Sequence, residues 1–466
     1  MSSGRREFIK AGALVSIGFL GLDNFAVNAA TKLFPSDYPG FGPLVNNDNG
    51  FLSLPSGFKA TVLSTHGNKM HDGFVVPGAY DGMGAFNMKN GRVALIRNHE
   101  LSPGAKEGPY GQDFSLLNKM DSGKIYDAGA GSNTCVGGTT TLIYNETRGK
   151  VEYEYISLTG TIRNCAGGVT PWNSWITCEE TDMRKGDEKG SLEKDHGFNF
   201  EVKATLDAKA QTPVPLKAMG RFVHEAVAVD PSSGIIYQTE DSGDGVFYRF
   251  IPNEPGNLQK GGRLQCLALK EWKSADTRNW QKMESKTFPQ KKSFDVYWID
   301  LDNVEAPEND LRIRGFDKGA ARFARAEGIW FGKKELYFAC TNGGQNAYGQ
   351  IFKYTPSRYE GKQGEKDSPG KLELFLEPNN TDIFQYCDNL TLSPWGDVII
   401  CEDKNDARII GITPQGKSYV IAKNTGYPKS EFAGPVFSPS GKTLFVNIQT
   451  PGFTLAITGP WNKRSA

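Results

Sequence analysis

The sequence predicts an all-β protein folded as a six-bladed β-propeller with loop insertions. The chain of 466 residues contains 54 glycines and 25 prolines, a composition typical of turn-rich β proteins. One hairpin pattern recurs six times, and a second pair of strands is predicted after most of its copies. Repeats of about 45 residues or more, built of strands and turns, are typical of a propeller with four strands in each blade.

The hairpin pattern is clearest at residues 164–180, NCAGGVTPWNSWITCEE. Cys165 stands near its start, a turn with Pro171 lies in its middle, and the acidic pair Glu179 and Glu180 ends it. Because the ends of an antiparallel hairpin lie side by side, the thiol and the carboxylates should meet. This combination suggests a metal site, and the alternative is a buried reduced cysteine beside two solvated glutamates.

Five further stretches match the pattern. They are residues 81–100, 225–241, 327–342, 388–403 and 433–449. The match at 388–403 needs no gap, so that Asp388 takes the place of Cys165 and Glu402 that of Glu179. The last copy keeps its turn and strands but lacks the carboxylates. A β-sandwich is the rival fold, but it does not predict the same hairpin six times.

Residues 1–29 predict a twin-arginine export signal. Arg5 and Arg6 precede an apolar run at 11–22, and small residues precede a cleavage site after Ala29. The run is too short to span a bilayer stably, and an uncleaved anchor is the alternative. We therefore expect recognition by the twin-arginine export machinery, a periplasmic or secreted location, and a single propeller domain at 30–466.

Charge and motif content argue against several function classes. The 53 basic and 53 acidic residues give no net charge to attract nucleic acid or an anionic membrane, so neither is expected as a partner. The seven cysteines include no CxxC pair, which argues against a zinc knuckle. The sequence also contains no GxSxG elbow, P-loop or HExxH motif.

Acidic residues recur at the two ends of the hairpin pattern, which should converge at one end of a propeller channel. The first position holds Asp81, Cys165, Glu225, Glu327 and Asp388. The last position adds Glu100, Glu179, Glu180, Glu240, Glu402 and Asp403. Since like charges raise one another's pKa, we expect several cations here. Carboxylates suit calcium or magnesium, and the thiolate favours a transition metal such as iron. The alternative is that the repeated acidic residues only cap turns.

Two arginines are predicted to face the channel. Arg163 and Arg325 each lie two residues before a first-position residue, and side chains two apart on a strand point the same way. The planar fork of arginine fits a phosphoryl group, whereas pairing with a neighbouring glutamate is the alternative. His99 and His224 are candidate ligands or donors to a carboxylate, although a single histidine is more often structural.

Five stretches together resemble the PhoX-type alkaline phosphatases. They are NCAGGVTPWNSWITCEE at 164–180, RFVHEAV at 221–227, YQTED at 237–241, ARAEG at 324–328 and FSPSGKTLFVNIQTPGFTLAITGPW at 437–461. The resemblance covers most of residues 30–466. It implies a six-bladed propeller, exported by the twin-arginine route, that hydrolyses phosphate monoesters. It also implies about two iron ions and about two or three calcium ions in the active site.

The resemblance implies roles for individual residues as well. Cys165 would be the iron thiolate, Arg325 the catalytic residue that holds the substrate phosphate, and metal-assisted phosphoryl transfer the reaction. The implied metal ligands are Glu100, Cys165, Glu179, Glu180, Glu225, Glu240, Glu327, Asp388 and Glu402. Two other hypotheses remain: a calcium-dependent propeller hydrolase acting on phosphodiesters or lactones, and a non-enzymatic cell-envelope propeller with structural calcium.

Overall fold

The structure, a computed structural model, describes residues 39–46 and 50–464. The predicted export signal lies outside these residues. They form 28 strands and two short helices, α1 (Asp187–Gly190) and α2 (Leu311–Lys318), so the predicted all-β class is confirmed. Single 3-10 turns lie at Leu117–Lys119, Ser122–Lys124, Gly131–Asn133, Lys217–Met219, Leu258–Lys260 and Trp461–Lys463. No helix of the described chain is long and apolar enough to cross a membrane.

The described chain begins with three strands, and the first two repeats follow them. The opening strands are β1 (Leu44–Asn46), β2 (Leu52–Pro55) and β3 (Lys59–Thr65). The first repeat contains β4 (Tyr80–Asn87), β5 (Arg92–His99), β6 (Gly137–Asn145) and β7 (Lys150–Thr161). The second contains β8 (Asn164–Val169), β9 (Ser174–Glu179) and β10 (Asn199–Lys203).

The remaining four repeats account for the other strands. The third repeat contains β11 (His224–Val229), β12 (Ile236–Glu240), β13 (Gly245–Val246), β14 (Tyr248–Pro252), β15 (Gly262–Leu269) and β16 (Ser293–Asp300). The fourth contains β17 (Arg322–Phe323), β18 (Ala326–Phe331), β19 (Leu336–Cys340), β20 (Gln350–Thr355) and β21 (Lys371–Leu376). The fifth contains β22 (Cys387–Leu392), β23 (Val398–Glu402), β24 (Arg408–Ile412) and β25 (Ser418–Asn424). The sixth contains β26 (Phe432–Phe437), β27 (Thr443–Ile448) and β28 (Phe453–Thr458).

The first strands of the six repeats form a closed ring. Going around it, the inner strands β4, β8, β11, β18, β22 and β26 each contact the next, and β26 contacts β4. This is the predicted β-propeller arrangement, with the inner strands around a central channel. The chain start closes it, because β3 pairs antiparallel with β28 and β2 pairs antiparallel with β25.

The sheets do not form the six separate four-stranded blades that the sequence predicts. Four of the hydrogen-bonded sheets in the described chain contain four or more strands, with four, four, six and nine strands. The nine-stranded sheet joins the third and fourth repeats, because β16 pairs with β15 on one side and with β21 on the other. The second repeat contributes only three strands.

The apolar core lies between neighbouring sheets. The largest cluster joins side chains of the third repeat, such as Phe247, to side chains of the fourth, such as Phe338, and these two rings stack at 4.5 Å. A second cluster joins the fifth and sixth repeats, for example through Ile409 and Leu455. Each repeat therefore buries its apolar faces against its neighbours, so the position of each inner strand depends on both adjacent repeats.

Small residues allow the inner strands to approach one another closely at the channel. The residues that follow the first position of the pattern are Gly82, Ala166, Ala226, Gly328, Asn389 and Gly434. A Cβ at Gly328 would lie 2.7 Å from the carbonyl oxygen of Asp388, and one at Gly82 would lie 2.6 Å from the Cα of Ala166. Larger side chains would thus displace the neighbouring first-position residue.

We expect Gly328→Ala to destabilise the protein by about 1–3 kcal/mol, because the added methyl group clashes with backbone atoms that cannot move independently. Urea unfolding measures this change. Gly123→Ala is a suitable control, since its Cβ would meet only the Asp121 side chain, at 3.4 Å. Equal free energies of unfolding for the two variants would contradict the close packing described above.

Candidate metal centre

The first residues of each inner strand share one local geometry. In all six hairpins the pairing register shifts directly after the first or second residue of the inner strand, which marks a β-bulge at this point. Bulges redirect side chains locally. The residues at or beside the bulge are Asp81, Cys165, Glu225, Glu327, Asp388 and, in the sixth hairpin, Ala433. The five ligand-type side chains among them are all buried.

These side chains belong to one continuous cluster. Four groups have ligand atoms within 4.8 Å of one another: Asp81–Glu100–Cys165, Cys165–Glu180–Glu225, Glu225–Glu327–Asp388 and Asp388–Asp403–Glu431. Consecutive groups share a member, so the cluster extends through five of the six repeats and reaches Glu431, beside the sixth. The structure therefore brings together six of the nine predicted ligands, namely Glu100, Cys165, Glu180, Glu225, Glu327 and Asp388.

A second set of equivalent residues follows the second strand of each hairpin. Their backbone N–H groups donate to the carbonyl oxygen two residues before the first position, for example Glu180 to Arg163 and Asp403 to Tyr386. The set comprises Glu100, Glu180, Asp241, Thr341, Asp403 and Gln449. The Gln449 amide lies 3.3 Å from Glu100 and 3.5 Å from Asp81, so a neutral group occupies this position in the sixth repeat.

Glu179, predicted as a metal ligand, lies outside the ligand groups of the channel cluster. Its carboxylate accepts hydrogen bonds from the backbone N–H groups of Ile162, Gly197 and Phe198. The His196 Nδ1 atom lies 2.6 Å from the same carboxylate. Although burial opposes the charge, Glu179 and Asp127 raise the pKa of His196 to about 12. Glu179 thus holds the chain around His196, and Glu180 belongs to the cluster.

Glu240 and Glu402, also predicted as ligands, have other partners in the structure. Glu240 accepts from the Tyr248 hydroxyl at 2.8 Å, and burial raises its pKa to about 7. Glu402 accepts from the Arg408 guanidinium at 2.6 and 2.8 Å. None of the groups found in the described chain contains either residue. Adjacent strand residues point to opposite sides, so only one member of each acidic pair can face the channel.

The structure adds residues that the sequence did not identify as ligands. Asp403, at the last position of the pattern, lies in the cluster in place of Glu402. Glu431 also lies there, two residues before Ala433, although the sixth hairpin itself has no carboxylate. Its position matches that of Arg163 and Arg325 in their own repeats, which is the one sequence signal that could have indicated it.

Electrostatics at the centre of the cluster favour bound cations. Glu225 is fully buried, and neither of its carboxylate oxygens has a hydrogen-bond partner among the described residues. Burial, Glu327 and Glu180 raise its pKa far above the ordinary value. Burial and Asp81 likewise raise the pKa of the Cys165 thiol. Cations would stabilise the ionised groups, and this donor set of carboxylates and one thiol fits them.

Two arginines lie at the edge of the cluster. Arg325 donates to both oxygens of Asp241, at 2.7 and 2.8 Å, and to Glu327 at 2.7 Å. Arg163 pairs with Glu100 at 2.7 Å and with Glu180. Both have φ of +48° and side chains 26% exposed, while the side chains of their glutamate partners are at most 6% exposed. Arg325 thus lies toward Glu327, and both arginines make the carboxylate pairs that were the alternative to phosphate binding.

The two candidate histidines do not belong to the centre. His99 contacts the Gly78 carbonyl oxygen and the Thr140 hydroxyl, and His224 donates to the Gly220 carbonyl oxygen while stacking on Phe222. Burial lowers the pKa of both rings, that of His224 to about 3. Their hydrogen bonds make them structural residues.

Solved structures similar to this fold include a phosphatase. Pseudomonas fluorescens PhoX in complex with vanadate is 17% identical, covers 91% of this chain and 98% of its own, and has a TM-score of 0.63. A gluconolactonase from Xanthomonas campestris is 11% identical with a TM-score of 0.42, covering 91% of this chain and 99% of that one. A Dyadobacter fermentans protein of unknown function has 9% identity and a TM-score of 0.44, covering 87% and 100%.

No curated protein matches the chain, but a protein family does. The family model described as "Alkaline phosphatase PhoX" matches residues 39–152 and 141–452. These ranges include every group of the channel cluster and every strand of the described chain except β28. The chain therefore belongs to the PhoX family of alkaline phosphatases.

Proposed function

We propose that this phosphatase hydrolyses phosphate monoesters at a multi-cation centre in the channel. The observation that carries the proposal is the buried Glu225 carboxylate, without a hydrogen-bond partner in the described chain, at the junction of two ligand groups. A buried carboxylate in that state is costly unless a cation or a proton satisfies it. The phosphatase family of the chain supplies the reaction class, which disfavours the lactonase and the non-enzymatic alternatives.

The donor set supports both of the ion types expected from the sequence. Carboxylate oxygens are the ligands that calcium prefers, and a thiolate favours a transition metal. Cys165 is shared by two of the ligand groups, so the thiol lies between carboxylates on both sides. We therefore propose iron bound by Cys165, with calcium at the carboxylate groups. Such ions supply positive charge that stabilises a phosphoryl group during transfer.

Arg325 is proposed to bind the substrate phosphate. Its fork holds Asp241 with two parallel hydrogen bonds, the geometry in which a guanidinium also holds a phosphate. Its side chain is partly exposed while Glu327 beside it is buried, so an entering anion can reach Arg325 before it reaches the carboxylates. Orientation of the phosphate and stabilisation of its developing charge would follow from the same contacts.

We also propose that the six repeats act as six blades and that the protein is exported by the twin-arginine route. The closed ring of six inner strands supports the first proposal, even though β16 joins two of the sheets. The Arg5-Arg6 sequence with its apolar run supports the second. Export would place the site where phosphate monoesters outside the cytoplasm can reach it.

Glu225→Gln is expected to lower phosphomonoesterase activity by more than about 100-fold, beyond the usual effect of losing an outer-shell partner. The amide keeps the shape of the side chain but removes the charge that a cation needs. Activity and bound metal per chain should be measured together. Glu254→Gln, on the exposed surface, is the control. A Glu225→Gln protein with unchanged metal content would refute the role of Glu225 as a ligand.

The adjacent residues Glu402 and Asp403 should respond differently to substitution. Glu402→Gln should lower the free energy of unfolding by about 3 kcal/mol, because it leaves the buried Arg408 charge unpaired. Asp403→Asn should instead reduce metal content and activity. Chemical unfolding and elemental analysis of both variants measure this. If Glu402→Gln lost metal and Asp403→Asn did not, our assignment of the channel-facing residue would be reversed.

Arg325→Ala should lower kcat/KM for a phosphomonoester by about 10²–10³-fold, the usual cost of losing a donor to transition-state charge. Metal content should not fall, since Arg325 binds carboxylates and no cation. Arg325→Lys should recover only part of the activity, because an ammonium group lacks the fork. The control is Arg92→Ala, since neither Arg92 nor its partner Glu152 belongs to a ligand group of the described chain. Full activity of Arg325→Ala would exclude Arg325 from phosphate binding.

A further inference from the structure

A second group of potential ligand atoms lies outside the channel cluster. Asp127, Cys135 and His196 offer one atom each within 4.8 Å of one another, and all three residues are buried. Asp127 and Cys135 lie in the connection between β5 and β6, and His196 lies in that between β9 and β10. None of the three is shared with the channel groups, and the proposed phosphatase mechanism does not use them.

The geometry of this group suits a tetrahedral ion. The His196 Nε2 and Asp127 Oδ2 atoms are 3.4 Å apart. Two ligands about 2.0 Å from a tetrahedral zinc ion are themselves about 3.3 Å apart. An imidazole nitrogen, a thiolate sulphur and a carboxylate oxygen are the three donor types that zinc accepts. The separation therefore fits a zinc ion held between the two side chains, with the Cys135 sulphur as a third ligand.

The surroundings of the three residues also suit a metal-binding histidine. Glu179 accepts a hydrogen bond from His196 Nδ1 at 2.6 Å, so the Nε2 atom is the one that faces Asp127 and Cys135. A carboxylate on the remote nitrogen is the usual outer-shell partner of a zinc-binding histidine. The backbone N–H group of Gly129 donates to Asp127 Oδ1, and those of Glu193 and Lys194 donate to Oδ2, at 2.8 Å each, so the orientation of the carboxylate is fixed.

We propose that Asp127, Cys135 and His196 bind a zinc ion, with a water molecule as the fourth ligand and Glu179 as the outer-shell partner of the histidine. The ion would join the two connections to the end of β9. Since β9 ends at Glu179 and Glu180 follows it, zinc here would stabilise the part of the chain that carries a channel ligand. Its role would be structural, separate from the phosphatase reaction.

Zinc can replace two protons in this buried site without a change in net charge. The charge balances when the exchange starts from a protonated imidazole at His196 and a neutral thiol at Cys135. Zinc binding displaces one proton from the His196 ring and one from the Cys135 sulphur, because metal ligands must be deprotonated. Two positive charges arrive with the ion while two protons leave, so the net charge of the buried group does not change. A buried imidazolium between two carboxylates, without metal, is the competing description.

Cobalt(II) in place of zinc tests the proposal, since a cobalt–thiolate bond gives a strong near-ultraviolet charge-transfer absorption. Among the seven cysteines, all described, only Cys135 and Cys165 belong to ligand groups. The full-length Cys165→Asp protein therefore removes the channel thiol and keeps a carboxylate, as other repeats have. We expect this protein to show the cobalt–thiolate band. Its absence from folded Cys165→Asp protein would overturn the proposal.

A matched pair of further substitutions identifies the thiol. In the Cys165→Asp background, Cys135→Ser should abolish the band, whereas Cys178→Ser, at another buried cysteine, should not. Persistence of the band in the Cys135→Ser protein would overturn the assignment. Should that protein fail to fold by circular dichroism, Asp127→Asn replaces it, with the band retained and cobalt affinity lowered at least about tenfold. Unchanged affinity in Asp127→Asn would also contradict the site.

Discussion

Repulsion among the acidic groups in the channel is the constraint on which the site depends. Glu225, Glu327 and Asp388 place their oxygens within 4.8 Å of one another, and Glu225 is fully buried without a hydrogen-bond partner in the described residues. Such a group must hold protons or cations. The two arginines offset part of the charge from the edge only, which leaves the centre of the cluster for cations.

The acidic side chains converge because the same β-bulge is repeated near the start of each inner strand. A bulge near the start of each inner strand directs a side chain into the channel, and small residues such as Gly82 and Gly328 let adjacent strands approach closely. Burial of apolar faces between neighbouring sheets fixes the strands that carry these bulges. Local geometry and global packing therefore act together, since neither alone would bring side chains from five repeats within ligand distance.

Much of this arrangement could be predicted from the sequence, because the hairpin recurs. The alignment of Cys165 with Asp388 locates the first-position residues, and strand alternation is sufficient to separate Glu180 from Glu179. Glu431 could not be aligned with a carboxylate, since its own hairpin carries Ala433. The joining of two sheets by β16 and the meeting of Cys135 with His196 depend on connections without a repeated pattern, so no spacing in the sequence indicates them.

The most direct test of the account is the calcium and iron content of the purified protein, measured with phosphomonoesterase activity before and after chelation. The account predicts both metals in the native protein. It also predicts loss of activity when chelation removes them, and recovery when calcium and iron are restored together. Full activity in protein that retains neither metal would contradict the central claim that cations hold the channel carboxylates and carry the reaction.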